Sequence, residues 1–245
     1  YEGTIKLGII TDTDDLEGEV IKEHPLPNID ERIIHECINS FQGVLQQRPP
    51  KFSSVHINGE RAYKKARRGE LFEVASKEIT IHQLEIIKWD QKNGKIKLEI
   101  HCSAGTYIRS LARDIGEKLG CGGTLFKLRR TEALGFNIKD SLPLKDFEDN
   151  FPYINSPLVN PLKVLNHLPK IEITLEEEVS YWCTGRGLIV PKERIVIEKS
   201  LINNQLECPN DFIIVINSKG ILVGVGRCTF DPFTINPKIV FNAKG

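Results

Sequence analysis

The stretch from Ile96 to Gly120 constrains the chain more than any other, because its apolar period changes there from that of a strand to that of a helix. Ile96, Leu98, Ile100 and Cys102 alternate with Lys97, Glu99 and His101, which specifies a strand with one buried face. Ile108, Leu111, Ala112, Ile115 and Leu119 then recur at helical spacing, and Gly120 marks the stop. The intervening Ser103-Ala104-Gly105-Thr106 turn offers a capping hydroxyl and, at Gly105, close approach of backbone to a ligand. This places Tyr107 and Arg109 in the first helical turn, off the apolar stripe and at the carboxyl end of a strand. A flat ring and a fixed fork of donors can meet a substrate there. On spacing alone, Arg109 equally suits an ion pair with Asp114 or Glu117.

The flanking segments read as alternating short elements. Residues 1–11 have strand character and end in Thr11-Asp12-Thr13-Asp14-Asp15, an acidic turn. Its carboxylates invite a divalent-metal reading, but Asp and Thr also build turns with their own side chains, and the spacing lacks the further ligands of a calcium loop. Turn-building is the preferred reading. Residues 19–24 form a short strand, and Asp30 caps a helix carrying Ile33, Ile34, Cys37, Ile38 and Phe41 on one face, with Gly43 past its end. Residues 46–54 are a connector with Pro49-Pro50, and Asn58-Gly59 marks a turn.

Residues 60–68 then form a basic helical element with Arg61, Tyr63, Lys64, Lys65, Arg67 and Arg68. Residues 72–90 return to strand, Asn93-Gly94 is the strongest hairpin signal, and residues 124–131 form another strand carrying Leu128, Arg129 and Arg130. Residues 140–150 hold a short helix, residues 151–160 a link, and residues 161–167 a helical turn or two. Thr174 with Glu177 reads as a capping box. After Gly185 and Gly187 come regular short strands, among them 212–216 and 221–228 across a turn, then 237–241. That change of pattern sets a domain boundary near residue 168.

Zero formal net charge gives no global attraction to a polyanion, so any nucleic-acid surface has to be local. The two basic clusters, 61–68 and 127–130, are the candidates, against the plain alternative of solvated faces. The six cysteines are scattered, with no zinc spacing, and read as reduced thiols. No apolar run approaches the ~20 residues of a membrane helix, and no signal-peptide pattern opens the chain. The sequence contains no methionine, so Tyr1 is not expected to be a translation start.

Several separated motifs, in order, resemble the bacterial tRNA pseudouridine synthase B family. They are Tyr1 with Leu7-Gly8 and Thr11-Asp12-Thr13-x-Asp15-x-x-Gly18, then Gln47-x-Pro49-Pro50-x-Phe52-Ser53, then Gly59-x-Arg61-Ala62-Tyr63 with Ala66-Arg67-x-Gly69. Cys102-Ser103-x-Gly105-Thr106-Tyr107-Ile108-Arg109-Ser110 and Leu128-Arg129-Arg130 complete the set. The resemblance implies an α+β fold: a pseudouridine synthase domain over residues 1–168 with a mostly antiparallel central sheet and an RNA-gripping insertion near 49–69. It also implies a small PUA-like β-barrel over 169–245 that binds RNA.

The implied activity is isomerisation of the T-stem-loop uridine of tRNA to pseudouridine, with the base flipped out and no cofactor or metal, in a monomeric cytoplasmic enzyme without a membrane partner. Arg109 matches the arginine that pairs with the catalytic aspartate, Tyr107 a tyrosine lying against the flipped base, Leu128 a residue of the base pocket, and Tyr1 a tyrosine that stacks on the base. Arg61, Tyr63, Lys64, Lys65, Arg67, Arg68, Arg129 and Arg130 are the expected RNA contacts. The family's Gly-x-Leu-Asp-Pro motif, which carries the aspartate upstream of Tyr1, does not occur in these residues. Arg109 is therefore expected to lack its main counter-charge here, and Asp12, Asp14 and Asp15 belong to a different motif. A non-catalytic tRNA-binding protein on the same scaffold is the alternative. A metal-dependent phosphoryl-transfer enzyme would rest on the acidic turn alone.

Overall fold

A computed structural model describes residues 1–150, 159–196, 212–229 and 232–243, and they divide into two compact units, Tyr1–Ser141 and Leu142–Gly245. In the first unit the strand expected over 1–11 is broken at Gly8, whose φ of 84° sends the chain out of the sheet. β1 (Glu2–Leu7) stays in it, while β2 (Ile9–Thr11) pairs with β3 (Val20–Glu23). α1 (Glu31–Asn39) follows, its first turn capped by Asp30 Oδ1, which accepts from the Arg32 amide at 3.2 Å. β4 (Gly43–Gln47) occupies residues that read as the end of a helix and a connector. It is a sheet edge with Val44 64% exposed, so it lacks the alternation of buried apolar residues that announces a strand.

β5 (His56–Ile57) and β6 (Glu60–Arg61) form a hairpin over Asn58 and Gly59, both at positive φ, and lead into α2 (Ala62–Arg67). Then come β7 (Lys77–Asp90), β8 (Lys95–Cys102), α3 (Ile108–Lys118), β9 (Gly123–Arg129) and the small pair β10 (Glu132–Ala133) and β11 (Phe136–Asn137). The main sheet runs β4-β7-β8-β1-β9 with every pairing antiparallel. Ile96, Leu98 and Ile100 are buried as their alternation requires, beside Ile5, Leu7, Ile81 and Leu84. Ile34 and Ile38 of α1 and Ile108, Leu111, Ala112 and Ile115 of α3 share that core. α3 meets β9 backbone to backbone: a Cβ on Gly116 would lie 2.1 Å from the Gly123 nitrogen.

The second unit begins with α4 (Leu144–Asn150) and α5 (Pro161–Val164). Then follow β12 (Lys170–Ile173), α6 (Glu176–Cys183), β13 (Leu188–Ile189), β14 (Ile195–Val196), β15 (Phe212–Asn217), β16 (Leu222–Thr229) and β17 (Thr234–Val240). The curled sheet order is β13-β17-β16-β15-β12-β14, with β12 and β15 parallel and the other pairs antiparallel. Trp182 is fully buried against this sheet, and its Nε1 donates to the Val223 carbonyl at 3.0 Å. The capping box expected from Thr174 and Glu177 sits one residue on, where Glu178 accepts from the amides of Thr174 and Leu175. Pro161 and Leu162 line a pocket with Ile221 and Phe241, and the described residues 142–150 and 159–168 group with this unit. The link at 151–158 and the part of the strand series at 197–211 lie outside the described residues.

Candidate active site

The join between β8 and α3 differs in detail from its expected form. Tyr107 is extended, with φ −97° and ψ 109°, and stands at the helix cap rather than inside the first turn. The nearby hydroxyls serve the turn instead of the helix: Thr106 Oγ1 donates to the Ser103 carbonyl at 2.9 Å, and Ser103 Oγ accepts from the Thr80 amide. Among the described residues, no side chain caps α3; the residue at its cap, Tyr107, is held by Gln47 at the end of β4. Its Oε1 accepts from the Tyr107 amide at 2.9 Å and its Nε2 donates to the Tyr107 carbonyl at 3.1 Å. Gln47 is 4% exposed, so its amide has no competing water and behaves like a neighbouring peptide group.

Arg109 projects from the first turn of α3, and three of the five N–H donors of its guanidinium are engaged. Nη1 donates to Asp15 Oδ2 at 3.0 Å and to the Thr13 carbonyl at 3.2 Å, while Nη2 donates to the Phe52 carbonyl at 3.0 Å. The expectation of an arginine without its main counter-charge is thereby corrected, as is its pairing with Asp114 or Glu117. One helical turn later Arg113 repeats the pattern. It donates to Asp14 Oδ2 at 2.9 Å, to Asp114 Oδ1 and to the Arg48 carbonyl at 2.8 Å. Two arginines four residues apart share a helix face, and together they bind the acidic turn and the 48–52 connector to α3.

Each carboxylate of the turn has a protein partner. Asp12 accepts from the Glu19 amide at 2.8 Å, and Asp15 Oδ1 accepts from Thr13 Oγ1 at 2.6 Å and from the Glu17 amide. Thr11 Oγ1 donates to the Asp15 carbonyl at 2.6 Å and lies 3.0 Å from Thr124 Oγ1, which seats the turn on β9. Burial pushes the Asp14 carboxyl above its ordinary value, against the pull of Arg113, and does the same to Asp114. The two buried side-chain hydroxyls without a partner among the described residues, Ser53 and Ser110, immediately follow Phe52 and Arg109 in sequence. Unsatisfied groups concentrate where a site takes precedence over packing.

Tyr1 immediately precedes β1, and Leu128 lies on β9. Gly3 of β1 pairs with Leu128 of β9. A Cβ on Gly3 would meet Ile100 at 3.2 Å, Ile108 at 3.6 Å and Leu128 at 3.9 Å, so the missing side chain brings these residues together. Leu128 is 43% exposed, an apolar side chain at the edge of the core. Tyr1 packs on the same core, and Arg130, expected as an RNA contact, stacks on its ring at 5.1 Å and donates Nε to its hydroxyl at 2.9 Å. Arg129 lies exposed at the end of β9, opposite Glu2.

The basic element divides into two sets. Arg68 forms a two-pronged pair with Glu60, both contacts at 2.7 Å, and a third with Glu70, while Lys65 reaches Glu70 at 3.1 Å. Those hydrogen bonds hold both glutamates below the usual carboxylate range. Arg61 donates to the Ser54 carbonyl. Lys64 and Arg67 have no carboxylate within 4 Å among the described residues, and Arg67 lies 5.5 Å over the Tyr63 ring. A cleft of about 1080 Å³ is lined by Ala66 of this element, by Lys51, Phe52, Leu71 and Phe72, and by Asp14 and Arg113.

Gln47, Asp15, Asp14 and Arg113 are the participants that sequence reasoning did not place in the site. The signal for the last three was present, two arginines at helical spacing and an acidic turn, but nothing local tied one to the other. The family models that match the chain are TruB family pseudouridylate synthase (N terminal domain), over residues 1–108, and tRNA pseudouridylate synthase B C-terminal domain, over residues 109–162. A tRNA pseudouridine synthase B of Prochlorococcus marinus strain SARG is 54% identical over the whole chain, which spans 78% of that relative, and one of strain NATL2A is 44% identical.

Among solved structures, the crystal structure of the archaeal box H/ACA sRNP Nop10-Cbf5 complex superposes with a TM-score of 0.62 at 20% identity, covering 98% of this chain and 65% of that one. An H/ACA RNP bound to a substrate RNA containing 2′-deoxyuridine gives 0.60 at 19%, over 98% and 64%. The chain thus spans slightly under two thirds of the length of these structural neighbours, which share its fold. With the two family models matching residues 1–162 and a relative 54% identical over the whole chain, the chain belongs to the TruB family of pseudouridylate synthases.

Proposed function

We propose that this chain forms the substrate-holding part of a tRNA pseudouridine synthase acting on the uridine of the T-stem loop. The observation that carries the reading is the engaged Arg109 guanidinium at the join of β8 and α3, fixed by Asp15, Thr13 and Phe52 and flanked by Tyr107. A target base inside a stacked loop has to leave the stack to be reached, and aromatic faces with apolar neighbours compensate for its lost stacking. Tyr1, Tyr107 and Leu128 supply those surfaces. Arg109 orients and keeps ionised the catalytic carboxylate that the family carries in its Gly-x-Leu-Asp-Pro motif.

The reaction is an isomerisation: the bond from the ribose C1′ to N1 breaks, the base turns, a bond from C1′ to C5 forms, and the C5 proton is released while N1 gains one. No redox partner is needed. RNA is gripped by Lys64, Arg67 and Tyr63 on α2 and by Arg129, with a further RNA-binding role for the module from about Ile171 onward. The working protein is a monomer in the cytoplasm. Among the described residues, no helix is long and apolar enough to cross a membrane.

Release of tritium from tRNA labelled at uridine C5 tests the reading. Release at the T-loop position by the whole protein supports it. Tight tRNA binding without release would favour the non-catalytic alternative.

A further inference from the structure

We infer that Arg113 is a positioning residue of this site, which fixes the acidic turn through Asp14 so that Thr13 and Asp15 meet the Arg109 guanidinium. The inference rests on the reading of Arg109 as the group beside the reacting base. It starts from the backbone of Asp14, which has a φ of 62° in the left-handed region that side-chain-bearing residues seldom adopt. That turn is what lets the residues on both sides of Asp14 face one guanidinium: the Thr13 carbonyl and Asp15 Oδ2 are 3.2 and 3.0 Å from Arg109 Nη1.

A conformation of this kind persists only where surrounding contacts impose it. Two contacts do so. The Asp14 carbonyl accepts from the Leu125 amide at 2.9 Å, and its carboxylate is held by Arg113 at 2.9 Å. The side chains of this pair are 17% and 12% exposed, so the interaction is shielded from water and salt.

Arg113 and Ala66 of the basic element line the same cleft, which raises the competing role of an RNA contact. Its charge is already met by Asp14 and Asp114, and its remaining reach is taken by the Arg48 carbonyl. A guanidinium with two carboxylates at 2.8–2.9 Å presents little net positive field to a phosphate. Its position one turn along α3 from Arg109 makes the helix a rigid spacer between two clamps on one loop.

The test uses the whole protein with Arg113→Ala, Arg113→Lys, Asp14→Asn and the double change Arg113→Ala with Asp14→Asn. Single-turnover pseudouridine formation at saturating tRNA should fall by roughly 10- to 100-fold in Arg113→Ala, the scale of a slightly misplaced catalytic group. The tRNA Kd should stay within about twofold. Lysine should restore the rate only in part, because one ammonium cannot span three acceptors. The double variant should be about as impaired as the worse single one, as for residues acting as a unit.

Amide exchange at Leu16 and Glu17 and the NMR signal of the Arg109 side-chain Nε–H should both change in Arg113→Ala while β8 amides stay protected. Unchanged exchange and an unmoved Arg109 signal would overturn the inference, as would a weakened Kd with a normal saturated rate. If the unsubstituted protein forms no pseudouridine, the proposed function fails, and the exchange and NMR arms still decide whether Arg113 sets the turn.

Discussion

Arg109 makes three hydrogen bonds to groups contributed from two distant segments, so its replacement acts on stability as well as on turnover. Arg109→Ala leaves Asp15 without its cation and frees the connector at Phe52. Because the pair is partly exposed, the expected loss is about 1–2 kcal/mol in urea unfolding of the whole protein. The catalytic loss should be far larger, roughly 100-fold or more in single-turnover rate at saturating tRNA, with little change in Kd. Arg109→Lys should recover stability better than rate, since one ammonium cannot hold Asp15 and the Phe52 carbonyl through separate nitrogens in a fixed fork. A near-normal rate in either variant would remove Arg109 from the reaction. The position of Arg109 in the first turn of α3 was legible in the sequence because the change of apolar period fixes it locally, whereas Tyr107 falls one residue outside the helix, at its cap. Gln47 and Asp15 were not legible, because they meet Tyr107 and Arg109 across 60 and 94 residues and no spacing rule encodes such a pairing.

At the level of elements, α2 and the contact of α3 with β9 behave differently. The basic run of α2 was legible, but its division was not, because neighbouring glutamates look alike in sequence until a fold shows which cations they meet. Lys64→Ala and Arg67→Ala should each weaken tRNA binding and reduce the slope of log K against log salt by about 0.7–0.9, the yield of one phosphate contact. Arg68→Ala should move that slope less, since Glu60 and Glu70 already counter its charge. Equal slopes for all three would dissolve the distinction. For α3, Gly116→Ala puts a methyl group 2.1 Å from the Gly123 nitrogen and 2.3 Å from the Gly122 carbonyl carbon. Backbone cannot yield as a side-chain tip does, and the expected cost is about 3 kcal/mol or more, read as a lower urea midpoint at unchanged slope. The strands β7 and β8 and the helices α1 and α3 followed from apolar period. The edge strand β4 did not, because its side chains mostly face solvent.

Among the described residues, each of the two units has its own core. In the second unit, Arg194 and the amides of Leu175 and Thr174 hold the Glu178 carboxyl below its ordinary value. A depressed folded-state value means that its stabilisation is fully present above the unfolded pKa of about 4.3 and is lost as pH falls through the folded value. Arg194→Ala should therefore cost about 1 kcal/mol at pH 7, and the gap from the unsubstituted protein should close on acidification. A gap independent of pH would assign the effect to packing.

The order of strands in the main sheet has a consequence for biosynthesis. β1 lies between β8 and β9, and its residues pair with 95–99 on one side and 123–129 on the other. A ribosome working at ~5–20 residues per second needs roughly 5–25 s to supply both partners. Until β9 is made, a strand with Ile5 and Leu7 on one face keeps at least one hydrogen-bonding edge open, so a nascent-chain holdase has its natural target at β1.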